Sequence, residues 1–253
     1  MSVWALLIEY DGGPFVGWQR QANGLSVQQV IECAAGKLSD QVSTSAAGRT
    51  DAGVHAAGQV VELHLEREIS PGRLQEALNY HLKPHPVSVL KAASAPRGWS
   101  ARFSANLRTY RYLILNRRAR PALMAGQVWH VPHPLDAETM HEAAQSLLGR
   151  HDFTSFRAAS CQASGPLRTL DRLDVLQRDD VIEIWAEARS FLHHQVRNIA
   201  GSLRLVGEGT WPVAEIARIL AAKDRRVAGP TAPADGLCLM CVGYPDDPFA
   251  PQS

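Results

Sequence analysis

The chain has 253 residues, 45% of them hydrophobic and 20% charged, and its formal net charge at pH 7 is +1. These values are ordinary for a soluble globular protein with a sizeable core, and the net charge alone indicates no polyanionic partner. No apolar run in the sequence approaches the length needed to span a bilayer, which excludes a helical membrane span.

The four cysteines, at positions 33, 161, 238 and 241, lack the spacing of a disulfide framework. Cys238-Leu239-Met240-Cys241 matches a C-x-x-C pattern, but a zinc site needs a second ligand pair. We therefore interpret Cys238 and Cys241 as small hydrophobic residues of a buried strand. Met1 runs almost directly into the apolar segment 3–8, which favours a first strand over a signal peptide. We expect a reduced, cytoplasmic and metal-free protein.

The first half of the chain predicts the element order β-α-β-α-β. Ser26 and Gln29 have the spacing of a capping box, and Pro71 after Ser70 marks the start of a second helix. The predicted elements are a strand over 3–9, a helix over about 26–39, a strand near 58–66, a helix from 71 through 78 and a strand over 86–90.

The second half also predicts strands with helices. The predicted elements are a strand over 109–116, a helix over 136–148, hairpin strands over 167–177 and 181–189, helices over 194–206 and 212–223, and a strand over 236–244. We predict an α+β fold of two similar subdomains, each a mainly antiparallel sheet with helices on one face, forming a basic cleft between them. The predicted limits are 1–104, 105–245 and a short tail over 246–253.

Residues 97–120, here named the basic-aromatic segment, contain seven arginines and no acidic residue or lysine. Guanidinium groups match phosphate geometry, and aromatic rings offer faces for bases. This pattern predicts a bounded nucleic-acid site, and a solvated surface whose acids lie elsewhere is an equal alternative. The arginines are Arg97, Arg102, Arg108, Arg111, Arg117, Arg118 and Arg120, and the aromatic residues are Trp99, Phe103, Tyr110 and Tyr112.

Asp51 is a lone carboxylate between Gly48 and Gly53, with Arg49 two residues before it. The local composition is that of an ordinary turn, yet such loops often carry chemistry. A carboxylate beside a guanidinium can be a nucleophile or a general base. The sequence shows no second acidic motif for a glycosidase pair, no phosphate-binding loop of nucleotide enzymes and no serine-hydrolase elbow.

The segment 190–201 joins the end of a strand to the start of a helix and contains His193 and His194. Adjacent histidines do not converge on one ion as an i, i+4 helical pair does, so we favour nonmetal roles. Arg197 at the helix start is expected either to reach the cleft and hold the Asp51 carboxylate, or to be an exposed helix arginine.

Together these residues resemble the TruA type of tRNA pseudouridine synthase. The signature around Asp51, Gly48-Arg49-Thr50-Asp51-Ala52-Gly53-Val54-His55, matches that family, and five other blocks match in the same order. The resemblance covers about residues 3 to 245. The other blocks are Gly17 to Gln21, Ala101 to Ala105, Arg108 to Tyr112, Asp152 to Arg157 and Val196 to Gly201.

The resemblance implies a homodimer that converts uridine to pseudouridine at positions 38, 39 and 40 of the tRNA anticodon stem-loop, without metal or cofactor. By this match, Asp51 is the essential acid, as nucleophile or as base. Tyr110 would stack on the target uracil, Arg197 would pair with Asp51, and Arg49 would help to extrude the nucleotide. We further assign His55 to substrate binding and four arginines to the RNA backbone, namely Arg20, Arg102, Arg108 and Arg111.

Two other functions stay open at this stage. An RNA-binding module or tRNA chaperone would bind tRNA in a salt-dependent way without turnover. A nucleosidase or glycosidase with a single acid would release free uracil. The Gly-Arg-Thr-Asp sequence at 48–51 favours the synthase over both.

Overall fold

The computed structural model describes residues 2–250, which form an α+β fold of five α-helices and ten strands. The strands are β1 (Ser2–Tyr10), β2 (Val42–Ala46), β3 (His55–Leu65), β4 (Val87–Ser94), β5 (Leu107–Leu115), β6 (Trp129–His130), β7 (Gly149–Asp152), β8 (Leu167–Arg178), β9 (Val181–Ala188) and β10 (Leu237–Gly243). The helices are α1 (Val27–Ala35), α2 (Pro71–Leu82), α3 (Ala137–Gln145), α4 (Gln195–Gly207) and α5 (Glu215–Ala222).

The described chain divides into two compact units, one of residues 2–108 with 239–250 and the other of residues 109–238. The chain thus leaves the first unit after Arg108 and returns to it at Leu239. The subdomain limits given above, 1–104 and 105–245, stay a prediction.

The sheet of the first unit is antiparallel around β1 and β3. Strand β1 lies between β3 and β4, and both β2 and β10 are also neighbours of β3. Helix α2 packs on β4, and α1 packs on α2 and β2. Because successive strand residues point to opposite faces, Leu6 and Ile8 lie on one face of β1 and Ala5 on the other, and all three are fully buried.

A second cluster in this unit surrounds Ala5. Its buried members are Ala5, Ala47, Val60, Trp99 and Ala101, with Tyr244 and Phe249 packed against it. Phe249 belongs to the segment predicted as a short tail, so residues 246–250 include part of the packing of this unit. The remaining residues of that segment, 251–253, lie outside the described residues.

The second unit has the strand order β5-β9-β8-β7. Strands β7, β8 and β9 pair antiparallel, and the two-residue β6 pairs parallel with β5. Helix α3 packs on β8 and α4, and the fully buried residues include Phe153, Phe156 and Ile199. The predicted α+β class, with mainly antiparallel strands, is confirmed. No helix within residues 2–250 combines the length and the apolar character that crossing a membrane requires.

The predicted strand at the C-x-x-C pattern is confirmed as β10, but its two cysteines are not core residues. Leu237 and Leu239 are the buried side chains of this strand, whereas Cys238 is half-buried and Cys241 is exposed. The interpretation of both as buried hydrophobic residues was therefore wrong. None of the four cysteines, all of which lie within residues 2–250, forms a disulfide.

Candidate active site

The loop that carries Asp51 joins β2 to β3 and is held at its carboxyl end by the first turn of the chain. The His55 Nδ1 atom lies 3.0 Å from the backbone nitrogen of Gly12 and 3.1 Å from Asp11 Oδ1. The hydroxyls of Tyr10 and Thr50 share a buried hydrogen bond of 2.7 Å. The first strand and its turn therefore fix residues on both sides of Asp51.

Gly17 brings a second backbone segment against the same loop. Its φ is +108°, and a Cβ atom built there would stand 2.8 Å from Thr50 O and 3.1 Å from the carbonyl carbon of Asp51. The next residue, Trp18, donates its backbone N–H to Thr50 O at 3.0 Å. This approach requires glycine, because any side chain would occupy the space of the Asp51 backbone.

Gln59 holds the amino end of the loop from inside. Its fully buried side chain donates from Nε2 to Gly48 O at 2.7 Å, and its Oε1 accepts from the Gly48 N–H at 3.4 Å. The backbone N–H of Ala47 donates to Val60 O at 2.8 Å. One amide side chain thus satisfies both backbone groups of Gly48.

Arg108 has its guanidinium inside the protein. The residue is 7% exposed, and it donates to Ala47 O at 2.7 Å, to Arg102 O at 2.8 Å and to Ala105 O at 3.1 Å. Its role in RNA backbone contact stays a prediction. These three hydrogen bonds join Ala47, directly after β2, to the basic-aromatic segment.

The side chains expected to meet the substrate in this unit differ in exposure. Asp51 is half-buried at the loop, where the Val54 N–H donates to its carbonyl oxygen at 3.1 Å, and Arg49 is exposed. His55 is largely buried, with 12% of its side chain exposed. Arg20 forms an ion pair of 2.8 Å with Glu32 and keeps 53% of its side chain exposed.

Tyr110 and Arg197 belong to the second unit. The Tyr110 ring is 9% exposed and meets the Phe191 ring edge-on, with centroids 5.2 Å apart. Arg197 lies in the first turn of α4 and donates from Nε to Ala232 O at 2.8 Å. Arg197 is half-buried, and its pairing with the Asp51 carboxylate stays a prediction.

The segment around Ala232 is pressed against α4. A Cβ atom at Gly201 would stand 1.8 Å from Pro230 O, and the Tyr112 hydroxyl donates to Pro233 O at 2.8 Å. Burial raises the pKa of Tyr112, and the positive charge of Arg197 opposes that rise. Tyr112 is therefore a neutral hydrogen-bond donor that supports the segment beside Arg197.

Two arginines predicted to meet RNA lie beside aromatic rings. The Arg102 guanidinium carbon is 5.3 Å from the Phe103 ring centroid, and that of Arg111 is 5.7 Å from the centroid of Trp185. Such contacts leave a guanidinium face or edge available for a phosphate. In the basic-aromatic segment, the arginines exposed at the surface are Arg97, Arg102, Arg117, Arg118 and Arg120.

A family model described as tRNA pseudouridine synthase matches residues 6–104 and 143–245. The chain therefore belongs to the tRNA pseudouridine synthase family, whose members are isomerases. This confirms the family resemblance found from the sequence.

Named relatives agree with the family model. A tRNA pseudouridine synthase A of Acidiphilium cryptum is 65% identical over 98% of this chain and 99% of its own length. Those of Gluconobacter oxydans and Rhodospirillum centenum are 56% identical, over 98% and 96% of this chain and 92% and 100% of their own lengths. Among solved structures, a chain of an archaeal box H/ACA sRNP Nop10-Cbf5 complex aligns with 89% of this chain and 59% of its own length. The two chains are 10% identical, and the TM-score of the alignment is only 0.34.

Sequence reasoning missed the residues that support the loop. Gln59 stands in a strand whose alternation is visible, but nothing local shows that its amide reaches Gly48. Tyr10 and Gly17 are distant from Asp51 in sequence, and only the paired strands bring them near it. The one available signal was polar Gln59 next to the apolar pair Val60-Val61, since a buried amide needs hydrogen-bond partners.

Proposed function

We propose that this protein isomerises uridine to pseudouridine at positions 38, 39 and 40 of the anticodon stem-loop of tRNA, with Asp51 as the essential carboxylate. The observation that carries the proposal is the way Asp51 is presented. Asp51 is half-buried on a loop that is held on both sides. Gln59 and Tyr10 hydrogen-bond to Gly48 and Thr50 before it, and the Gly12 N–H donates to His55 Nδ1 after it. Fixed positioning of a reacting group lowers the activation free energy, because the group needs no further ordering on the way to the transition state.

The chemistry needs one carboxylate and no activated water. The glycosidic bond between N1 and C1′ breaks, the uracil turns, and a bond forms between C5 and C1′. The proton on C5 leaves and N1 gains a proton, so the product is an isomer of the substrate. Asp51 acts either as the nucleophile at ribose or as the base that starts cleavage of the bond.

The target uridine must leave its base stack before Asp51 can reach the glycosidic bond. Arg49 is exposed two residues before Asp51, and this position suits a cation that helps to extrude the nucleotide. We assign Tyr110 to stacking on the uracil, Arg197 to pairing with the Asp51 carboxylate and His55 to substrate binding.

The exposed arginines provide phosphate contacts to the folded RNA. Arg20 and Arg102 are exposed, and Arg111 is half-buried beside Trp185. Double-stranded RNA is recognised mainly by shape and by its phosphates and 2′-hydroxyls, which suits guanidinium groups at a surface. We also propose that the protein acts in the cytoplasm as a homodimer. Sedimentation measurements on the purified protein test the homodimer directly.

Release of tritium from 5-tritiated uridine in tRNA tests the reaction, because the C5 hydrogen is lost. We expect Asp51→Asn to lower the rate by about 100- to 10,000-fold or more while tRNA affinity is kept. Replacing the uridines at 38, 39 and 40 by cytidine, singly and together, tests the position. Wild-type binding without tritium release would instead support the RNA-binding module, and free uracil would support a nucleosidase.

A further inference from the structure

Phe103 is the exposed ring of the basic-aromatic segment. Its exposed fraction is 77%, whereas Trp99, Tyr110 and Tyr112 are each at most 9% exposed. Single exposed apolar residues are common and need no partner. Three further observations separate Phe103 from that ordinary case.

The turn that presents Phe103 is fixed on several sides. The Ala101 N–H donates to Glu62 Oε2 at 3.0 Å, and the Tyr244 hydroxyl donates to Ala101 O at 2.7 Å. Within the turn, the Ser100 N–H donates to Ser104 Oγ at 3.0 Å. An exposed ring on a fixed backbone binds a partner without a large ordering cost.

The charge beside the ring suits a nucleic acid. The guanidinium carbon of Arg102 lies 5.3 Å from the Phe103 ring centroid, and both side chains are exposed. An aromatic face next to an arginine is the combination that binds unpaired nucleotides, because the ring stacks on the base while the cation meets the phosphate.

The Phe103 ring is also connected to the Asp51 loop by a short path of hydrogen bonds. A single nitrogen of Arg108, Nη2, donates both to Arg102 O and to Ala47 O. Ala47 precedes Asp51 by four residues, a length of chain that spans at most about 14 Å. The distance from Phe103 to Asp51 is therefore one that a few nucleotides can span, so both residues can contact the same stem-loop.

We propose that Phe103 is a stacking platform for an unpaired nucleobase of the tRNA, a base other than the target uracil. The proposal rests on the proposed function for its substrate, since the loop of an anticodon arm offers unpaired bases. The ring contributes affinity and register, and it takes no part in bond breaking.

Anticodon stem-loop binding by fluorescence anisotropy tests the platform in the full-length protein. We expect Phe103→Ala to weaken affinity by about 5- to 150-fold, the range for loss of one base–aromatic stack, with kcat/KM falling by the same factor. Phe103→Trp should bind as tightly as wild type, and Phe103→Leu as weakly as Phe103→Ala. The matched control is Tyr80→Ala on α2, an aromatic residue 71% exposed outside the segment, which should leave binding unchanged.

Salt dependence separates stacking from charge. Phe103→Ala should keep the slope of log affinity against log salt, whereas Arg102→Ala should reduce that slope by about one phosphate contact. Ultraviolet crosslinking should yield a nucleotide adduct on Phe103.

Two results would overturn the platform: Phe103→Ala affinity within twofold of wild type, or full rescue by Phe103→Leu. A wild-type protein that shows the Phe103 effect but releases no tritium would overturn the proposed function and leave the platform standing.

Discussion

Gly17→Ala should displace the loop of the candidate active site, although residue 17 lies far from Asp51 in sequence. At φ +108°, a non-glycine residue is strained by about 1–2 kcal/mol. The new Cβ would stand 2.8 Å from Thr50 O, where about 3.4 Å is the start of ordinary contact, so the loop must retreat by roughly 0.6 Å. Overpacking of this kind costs about 1–3 kcal/mol.

The total loss in the free energy of unfolding is then about 2–5 kcal/mol. Displacement of the loop should also lower the rate of the bound complex by about tenfold or more, since a shift of about 1 Å can cost 100-fold. Denaturant unfolding measures the first effect. Single-turnover tritium release with saturating enzyme, well below the melting temperature, measures the second.

Gly209→Ala is the matched control. Gly209 has φ +74° with no atom within 4 Å of a built Cβ, so this variant carries the backbone strain without the contact. It should lose only about 1–2 kcal/mol of stability and keep the wild-type single-turnover rate. A Gly17→Ala rate within twofold of the Gly209→Ala rate would refute the argument that Gly17 sets the loop position.

Gln59→Leu removes the amide that satisfies both backbone groups of Gly48. This substitution should cost about 1–3 kcal/mol in unfolding free energy and lower the single-turnover rate. A normal rate in Gln59→Leu would contradict this role. Gly201→Ala places a methyl group 1.8 Å from Pro230 O and should lower stability by about 3 kcal/mol or more, as calorimetry of the purified variant would show. Gly72→Ala, with open space around it, is the control for Gly201.

Local signals in the sequence predicted most helices and long strands. Ser26 does cap α1, since its Oγ accepts from the Gln29 N–H at 3.2 Å, and Pro71 is the first residue of α2. The predicted end of α1 was too late, because Gly36 caps the helix after Ala35. The predicted hairpin of β8 and β9 is confirmed, with Asp179 in its turn at φ +52°.

The missed strands are short or polar. Strand β2 has the sequence Val-Ser-Thr-Ser-Ala, which carries too few apolar residues to show a buried face, and its pairing with β3 supplies the stability. Strands β6 and β7 span two and four residues, too few for a period to be visible.

The sequence predicts which residues carry the chemistry of the candidate site, but it does not show the contacts that support the loop. Motif matching identifies Asp51 and Arg49, because they are neighbours in sequence. The contacts of Gln59 and Arg108 depend on side chains that reach across paired strands, and composition treats a buried arginine like an exposed one. Phe103 is exposed and the other rings of the basic-aromatic segment are buried, a difference that the sequence pattern does not show.

The return of residues 239–250 to the first unit has a consequence for synthesis. Tyr244 and Phe249 pack against the cluster around Ala5, and the carbonyl of Met240 lies against Gly58. At about 5–20 residues per second, translation of the intervening second unit takes on the order of ten seconds. During that time the unit that carries Asp51 lacks its last strand, so the nascent chain holds an unfinished surface until translation has passed residue 249.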